Sequence, residues 1–171
     1  MTAAADTARP LAAGRRRTAA RLAVVQALYQ LELTGAPVEA VVSEFKLHRL
    51  GRDGDGGGFG DADPDFFAAL VRGAAARRDE LDRLVAAALT PEWPLDRLES
   101  VLRAILRAGA YELVACPEVP VPVVISEYLD IGHAFFGGRE PGLVNGVLDR
   151  LARTLRSEAG EGREDGGAAS R

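Results

Sequence analysis

Arg15, Arg16 and Arg17 run consecutively, and Arg21 follows one helical turn later. A guanidinium is a planar, permanently charged fork that pairs bidentately with phosphate and stacks on bases. Positive charge at a helix start opposes the helix dipole, and a bound anion relieves that conflict. On composition alone the cluster is also readable as a solvated helix start. No other residues assemble a reactive set. His48 and His133 have no Cys or Asp at ligand spacing, and a metal centre needs three or four converging ligands. Cys116 precedes Pro117 at a helix end and reads as a buried or bystander thiol rather than a nucleophile. No glycine-rich loop joins a strand to a helix, so phosphate-loop nucleotide binding is unsupported. Carboxylates are plentiful, but none occupies a recognisably apolar setting that would raise its pKa. The expectation is a non-enzyme with no catalytic residue, cofactor or metal.

Residues 51–63, GRDGDGGGFGDAD, hold six Gly and four Asp and invite comparison with a calcium loop. Counted from Asp53, the twelfth position must supply a bidentate Glu, and Pro64 stands there. The fifth is Gly57, with no side-chain oxygen. The segment reads as a flexible surface loop, long for a small domain.

The elements that must position these residues are helices. Leu22, Val25, Leu28, Tyr29 and Leu33 recur at three- and four-residue spacing, which predicts a helix from Arg15 to about Thr34 after a flexible arm at 1–14. Gly35-Ala36-Pro37 stops it. A shorter helix fits 38–49, with Val38, Val41, Val42, Phe45 and Leu50 inward. Asp63 and Pro64 suit the cap and first position of a third helix. Its stripe, Phe66 or Phe67, then Leu70, Val71, Ala74, Leu81, Leu84 and Val85, predicts one element as far as Thr90-Pro91. A short turn near 91–97 leads to a helix at 98–115. There Leu98, Leu102, Ile105, Leu106, Gly109 and Leu113 form one stripe. Glu99 and Arg103 form an i,i+4 pair on the other side, extended by Arg107. Val119–Pro122 looks like a strand, but its prolines argue against pairing. It reads as an extended connection into a helix at 121–136. A turn at Gly137–Gly142 precedes a last helix, Leu143–Ser157, with Leu143, Val147, Leu151 and Leu155 inward. The acidic segment 158–171 reads as disordered. The predicted fold is all-α, with six helices and a seventh short one near 91–97, forming a single domain over 15–157.

Thirty Ala residues and only 6% aromatics agree with a helical chain. A net charge of −4 argues on its face against a nucleic-acid partner. Its distribution argues otherwise: residues 1–21 carry +4, residues 22–157 carry −6, and residues 158–171 carry −2. A single Cys cannot form an intramolecular disulfide and suits a reducing compartment. No apolar run approaches the ~20 residues of a membrane span. The basic N-terminus follows a weak apolar stretch, the reverse of a secretory signal. These features predict a soluble cytoplasmic protein.

Three blocks carry a family resemblance. RRRTAARLAVVQALYQLELTG at 15–35 resembles the Arg-rich first helix of the NusB family of bacterial antitermination factors. LRAILRAGAYEL at 102–113 is similar to that family's R-A-I-L-R-x-A-x-Y-E-L helix, and Ile125-Ser126-Glu127-Tyr128 to the helix start that follows it. GLVNGVLDRLAR at 142–153 resembles the family's F-V-N-G-V-L-D signature. Asn145, Gly146 and Tyr111 read as core packing, with Gly146 allowing a close helix approach.

The resemblance implies a non-enzymatic protein of two small helical subdomains. It implies binding of single-stranded boxA RNA from ribosomal RNA transcripts together with NusE, a ribosomal protein, alongside other Nus factors and RNA polymerase. The RNA contact implied is Arg15, Arg16, Arg17 and Arg21. The partner face implied is Asp96, Glu99 and Arg103. Two departures stand out. Gly142 and Leu143 replace a basic residue and a Phe before V-N-G, and Arg139 upstream is a substitute for the missing charge. Leu102 replaces an acid before R-A-I-L-R. The alternative is a helical interaction module or homodimer without direct RNA binding. A methyltransferase role, known where such domains precede a catalytic domain, would need an α/β cofactor domain that this sequence does not contain.

Overall fold

The computed structural model describes residues 3–51 and 58–164. The order is α1 (Ala3–Thr34), α2 (Val38–His48), α3 (Pro64–Ala76), α4 (Arg78–Ala88), a 3-10 turn at Leu95–Arg97, α5 (Ser100–Ala115), α6 (Val121–Phe135) and α7 (Glu140–Glu164). The fold is all-α, with seven helices, and the described residues contain no strand. The prolines at 120 and 122 do not build one; Pro120 precedes α6 and its carbonyl accepts the N–H groups of Val123 and Val124.

Local chemistry sets the boundaries. Gly35, at φ 64°, closes α1 by donating its N–H to the Leu31 carbonyl at 3.0 Å, a left-handed cap that a side chain would strain. Asp63 caps α3, its Oδ1 accepting from the N–H groups of Asp65 and Phe66 at 3.1 and 3.0 Å, with Pro64 in the first turn.

α5 is the central post and packs against α1, α3, α4, α6 and α7. It is buried almost all round, through Leu102, Ala104, Ile105, Leu106, Ala108, Gly109 and Ala110, as a helix surrounded by others must be. Phe45 of α2 stacks on Phe67 of α3 with centroids 5.3 Å apart, and on Phe59 at 6.0 Å.

Several expectations are corrected. The helix predicted from Arg15 begins at Ala3, so residues 3–14 continue α1 rather than form an arm. The single third helix is two, broken at Arg77, where φ is −107° and ψ 21°. The break leaves the apolar stripe in phase, so periodicity could not reveal it. Past the break α4 packs against α5 and α7, with Leu81 and Val85 buried, whereas α3 packs against α1, α2 and α5, with Leu70 and Val71 buried. The turn expected at Gly137–Gly142 ends early, because α7 starts at Glu140, and α7 extends to Glu164. Leu33, predicted inward, is 59% exposed. The Gly/Asp loop is pinned where it is described: Phe59 and Ala62 are buried, Gly51 donates to the Gly60 carbonyl, and Phe59 donates to the Arg49 carbonyl. Residues 52–57 of that loop and 165–171 of the acidic segment lie outside the described residues.

Gly146 does not face another helix; a Cβ there meets only the end of Arg150, at 3.6 Å. The close approach is at Gly109, where a Cβ would stand 2.9 Å from Leu148 of α7. A second is at Gly73, against the ring of Tyr111. Tyr111 is therefore a packing residue, as expected, whereas Asn145 is exposed rather than in the core.

Candidate nucleic-acid interface

Successive helical residues point about 100° apart, so Arg15, Arg16 and Arg17 fan out around α1 instead of sharing one face. All three are exposed, and none pairs with a carboxylate among the described residues. Their surroundings differ. Arg15 borders a shallow groove of about 380 Å³ between α1 and α6, with Thr18, Leu22, Glu127, Asp130 and Ile131. Arg16 donates from Nε to the Asp61 carbonyl at 3.1 Å, and its own carbonyl accepts the Asp63 N–H at 3.1 Å. This double latch fixes the start of α3 to α1. Arg17 lies over the ring of Phe66, 4.7 Å from Cζ to the centroid.

Arg21 is set apart from this group. It is 3% exposed, against Glu112 at 0%. Nε donates to both Glu112 oxygens at 3.0 Å, and Nη2 donates to Oε1 at 2.6 Å. Tyr128 donates its hydroxyl to Oε2 at 2.8 Å. Glu127 stands 3.4 Å from Nη1 and accepts from the Thr18 hydroxyl at 2.8 Å. Burial alone would lower the Arg21 pKa, but the Glu112 carboxylate outweighs it and raises it. Arg21 thus joins α1 to α5 and α6 from within, and its fork is taken. The physical reason is position along the axis: Arg21 points within about 40° of Arg17, but one turn further on it lies in the stretch of α1 covered by α3, α5 and α6. Arg139 is exposed, in the connection between α6 and α7, on a separate element from the α1 arginines.

The residues expected at the partner face also divide. Asp96 and Glu99 are exposed at the approach to α5. Arg103 does not pair with Glu99. It reaches Glu32 of α1 and the Leu98 carbonyl, while Arg107 bridges Glu32 at 2.7 Å and Asp82 of α4 at 2.6 Å. Burial would raise the Glu32 pKa, but these two arginines hold it below the ordinary carboxylate range. A groove of about 450 Å³ opens nearby, between α1, α5 and the end of α6, lined mostly by apolar groups including Tyr29, Leu33, Val101 and Phe135. Leu33 and Phe135, 59% and 42% exposed, stand at it.

Sequence reasoning passed over Phe66, Glu112 and Tyr128. The pair Phe66-Phe67 left open which ring faces inward; Phe67 is buried and Phe66 sits beside the arginines. Glu112 was visible inside Y-E-L, but its partner lies 91 residues away. Cys116 is half-buried, and burial, with Glu112 and Glu118 nearby, pushes its pKa up to about 11. It is protonated near neutrality and is a poor nucleophile. Among the described residues no cluster of His, Cys, Asp or Glu could hold a metal. No described helix is long and apolar enough to cross a membrane.

Comparison with known families matches residues 18–153 to the NusB family. This chain belongs to the NusB family. It is 47% identical over 154 residues to the transcription antitermination protein NusB of Rhizobium rhizogenes, covering 90% of this chain and 96% of that protein. It is 52% identical over 144 residues to the same protein of Brucella ovis, covering 84% of each. T. maritima NusB shares the fold with a TM-score of 0.66 at 30% identity, over 81% of this chain and 90% of that one. A structure of the antitermination factors NusB and NusE in complex with double-stranded RNA shares it at 0.64 and 24% identity, over 82% and 98%. The NusB family is one of non-enzymatic RNA-binding factors.

Proposed function

We infer that this NusB-family chain is an RNA-binding transcription antitermination factor. It binds the boxA element of ribosomal RNA transcripts as single strand, together with NusE. In the cytoplasm it joins other Nus factors and RNA polymerase, suppresses premature termination and supports ribosomal RNA synthesis and maturation. The observation that carries this reading is the exposed set Arg15, Arg16 and Arg17 on α1, none of which forms an ion pair among the described residues. Arg139 adds charge from the α6–α7 connection. Arg21 contributes by holding α1 in place rather than by touching phosphate.

The partner reading rests on the apolar groove with Leu33 and Phe135 exposed, and on Asp96 and Glu99, which precede Val101 of its wall. An apolar anchor beside acids suits a basic ribosomal protein. Arg103 serves this face indirectly, by tying α5 to Glu32. The fold relative NusB has been solved with NusE and a double-stranded RNA.

The test is binding to a boxA RNA, a scrambled strand and a duplex, with and without NusE. The boxA strand is expected to bind best, and better with NusE. Arg15→Ala with Arg16→Ala is expected to weaken binding with helicity intact. Three to four phosphate contacts imply a log–log salt slope of about −2 to −3. Equal affinity for boxA and scrambled RNA, or salt-independent binding, overturns the reading.

A further inference from the structure

The three exposed arginines are not equivalent. Arg15 faces a groove that also holds Glu127 and Asp130, and Arg16 spends its Nε–H on the Asp61 carbonyl. Arg17 alone among them is held by an aromatic ring, with Cζ 4.7 Å above Phe66. The backbone that carries the ring is anchored. Phe66 is in the first turn of α3, its N–H is capped by Asp63, and the Asp63 N–H is bonded to the Arg16 carbonyl. Arg21 lies over the same ring at 5.2 Å, and its own fork is locked by Glu112. The chain thus ties the backbone of Phe66 to α1 and sets the guanidiniums of Arg21 and Arg17 over its half-buried ring, while Arg17 remains exposed to solvent.

A guanidinium resting on a ring has one planar face against the ring and the other toward water. The outer face has the shape and charge to stack on a nucleobase, and a cation already resting on an aromatic face needs less ordering when the base arrives. A phosphate contact needs only positive charge, which Lys supplies; a stacking contact needs the plane, which Lys lacks. We propose that Arg17, supported by Phe66, is a base-stacking platform, so that one nucleotide of the bound RNA lies flat on its guanidinium while Arg15 and Arg16 take phosphates. This assignment rests on the RNA-binding reading above and adds a second kind of contact to it.

The experiment uses the full chain with NusE and single-stranded boxA RNAs carrying 2-aminopurine at successive positions, whose fluorescence falls on stacking. In the native protein one position is quenched on binding. Arg17→Lys keeps the charge and is expected to lose that quench and about fivefold or more in affinity, with an unchanged salt slope. Phe66→Leu, checked for native helicity, is expected to weaken both readouts in the same direction by freeing Arg17. Native affinity and quench in Arg17→Lys, or in well-folded Phe66→Leu, overturn the platform. If Arg15→Ala with Arg16→Ala still weakens binding, the RNA reading survives that result. Failure of the native protein to prefer boxA over scrambled RNA overturns both.

Discussion

Nη2 of Arg21 lies 2.6 Å from Oε1 of Glu112, between two side chains that water barely reaches. The pair ties α1 to α5, and the Tyr128 hydroxyl brings in α6. A buried charge left without its partner is far costlier than the pair is stabilising. Arg21→Ala and Glu112→Ala are each expected to lose about 3–5 kcal/mol in urea denaturation. Arg21→Met combined with Glu112→Leu is expected to recover much of that loss. A native midpoint in either single variant would contradict this account.

Tyr128 gives the protein an alkaline limit. Burial, then the neighbouring Glu112 carboxylate, hold its phenol well above the ordinary value of 10.0. The unfolded chain therefore releases this proton first as pH rises. The stabilisation is complete below pH 10 and declines above it. Tyr128→Phe is expected to cost about 1–2 kcal/mol at neutral pH and to flatten the stability profile above pH 10. Parallel profiles for the two proteins in that range would refute the assignment.

Glu32 acts at the opposite end of the scale. Its desolvation is outweighed by Arg103 and Arg107, and its pKa lies below the ordinary 4.5. The stabilisation is present above pH 4.5 and is lost as pH falls through the lowered value. Glu32→Gln is expected to be less stable by about 1–3 kcal/mol at pH 7, with the difference shrinking on acidification below pH 4.5. A constant difference across the acid titration would count against it.

Two glycines should respond oppositely to the same substitution. A Cβ at Gly73 would stand 1.9 Å from the Tyr111 hydroxyl oxygen and 2.1 Å from its ring carbon. Gly73→Ala is expected to destabilise by about 1–3 kcal/mol, with partial relief from Tyr111→Leu. Gly146 has room, so Gly146→Ala in α7 is expected to stabilise by about 0.5–1 kcal/mol through its helix preference. Thermal melts of the three variants check the contrast.

What the sequence made legible was whatever depends on near neighbours. The Gly35 stop, the Asp63-Pro64 start and the inward faces of Val41, Val42 and Phe45 were all readable, because each is decided within one or two turns. Long-range pairings were not. The i,i+4 rule offered Glu99 to Arg103, yet Arg103 chose Glu32, 71 residues away, because α1 lies alongside α5. The same blindness grouped Arg21 with the exposed arginines: spacing along one helix cannot show where other helices begin to cover it. The break at Arg77 escaped because a kink that keeps the apolar stripe in phase leaves no trace in periodicity.

The length of α1 sets a distance. Arg16 and Tyr29 are thirteen residues apart on one unbroken helix, about 20 Å at 1.5 Å per residue. Anything held by the arginines and anything seated in the groove at Tyr29 are therefore spaced by a rigid ruler. Two ligands on this protein would be aligned with each other in register and rotation without ever touching.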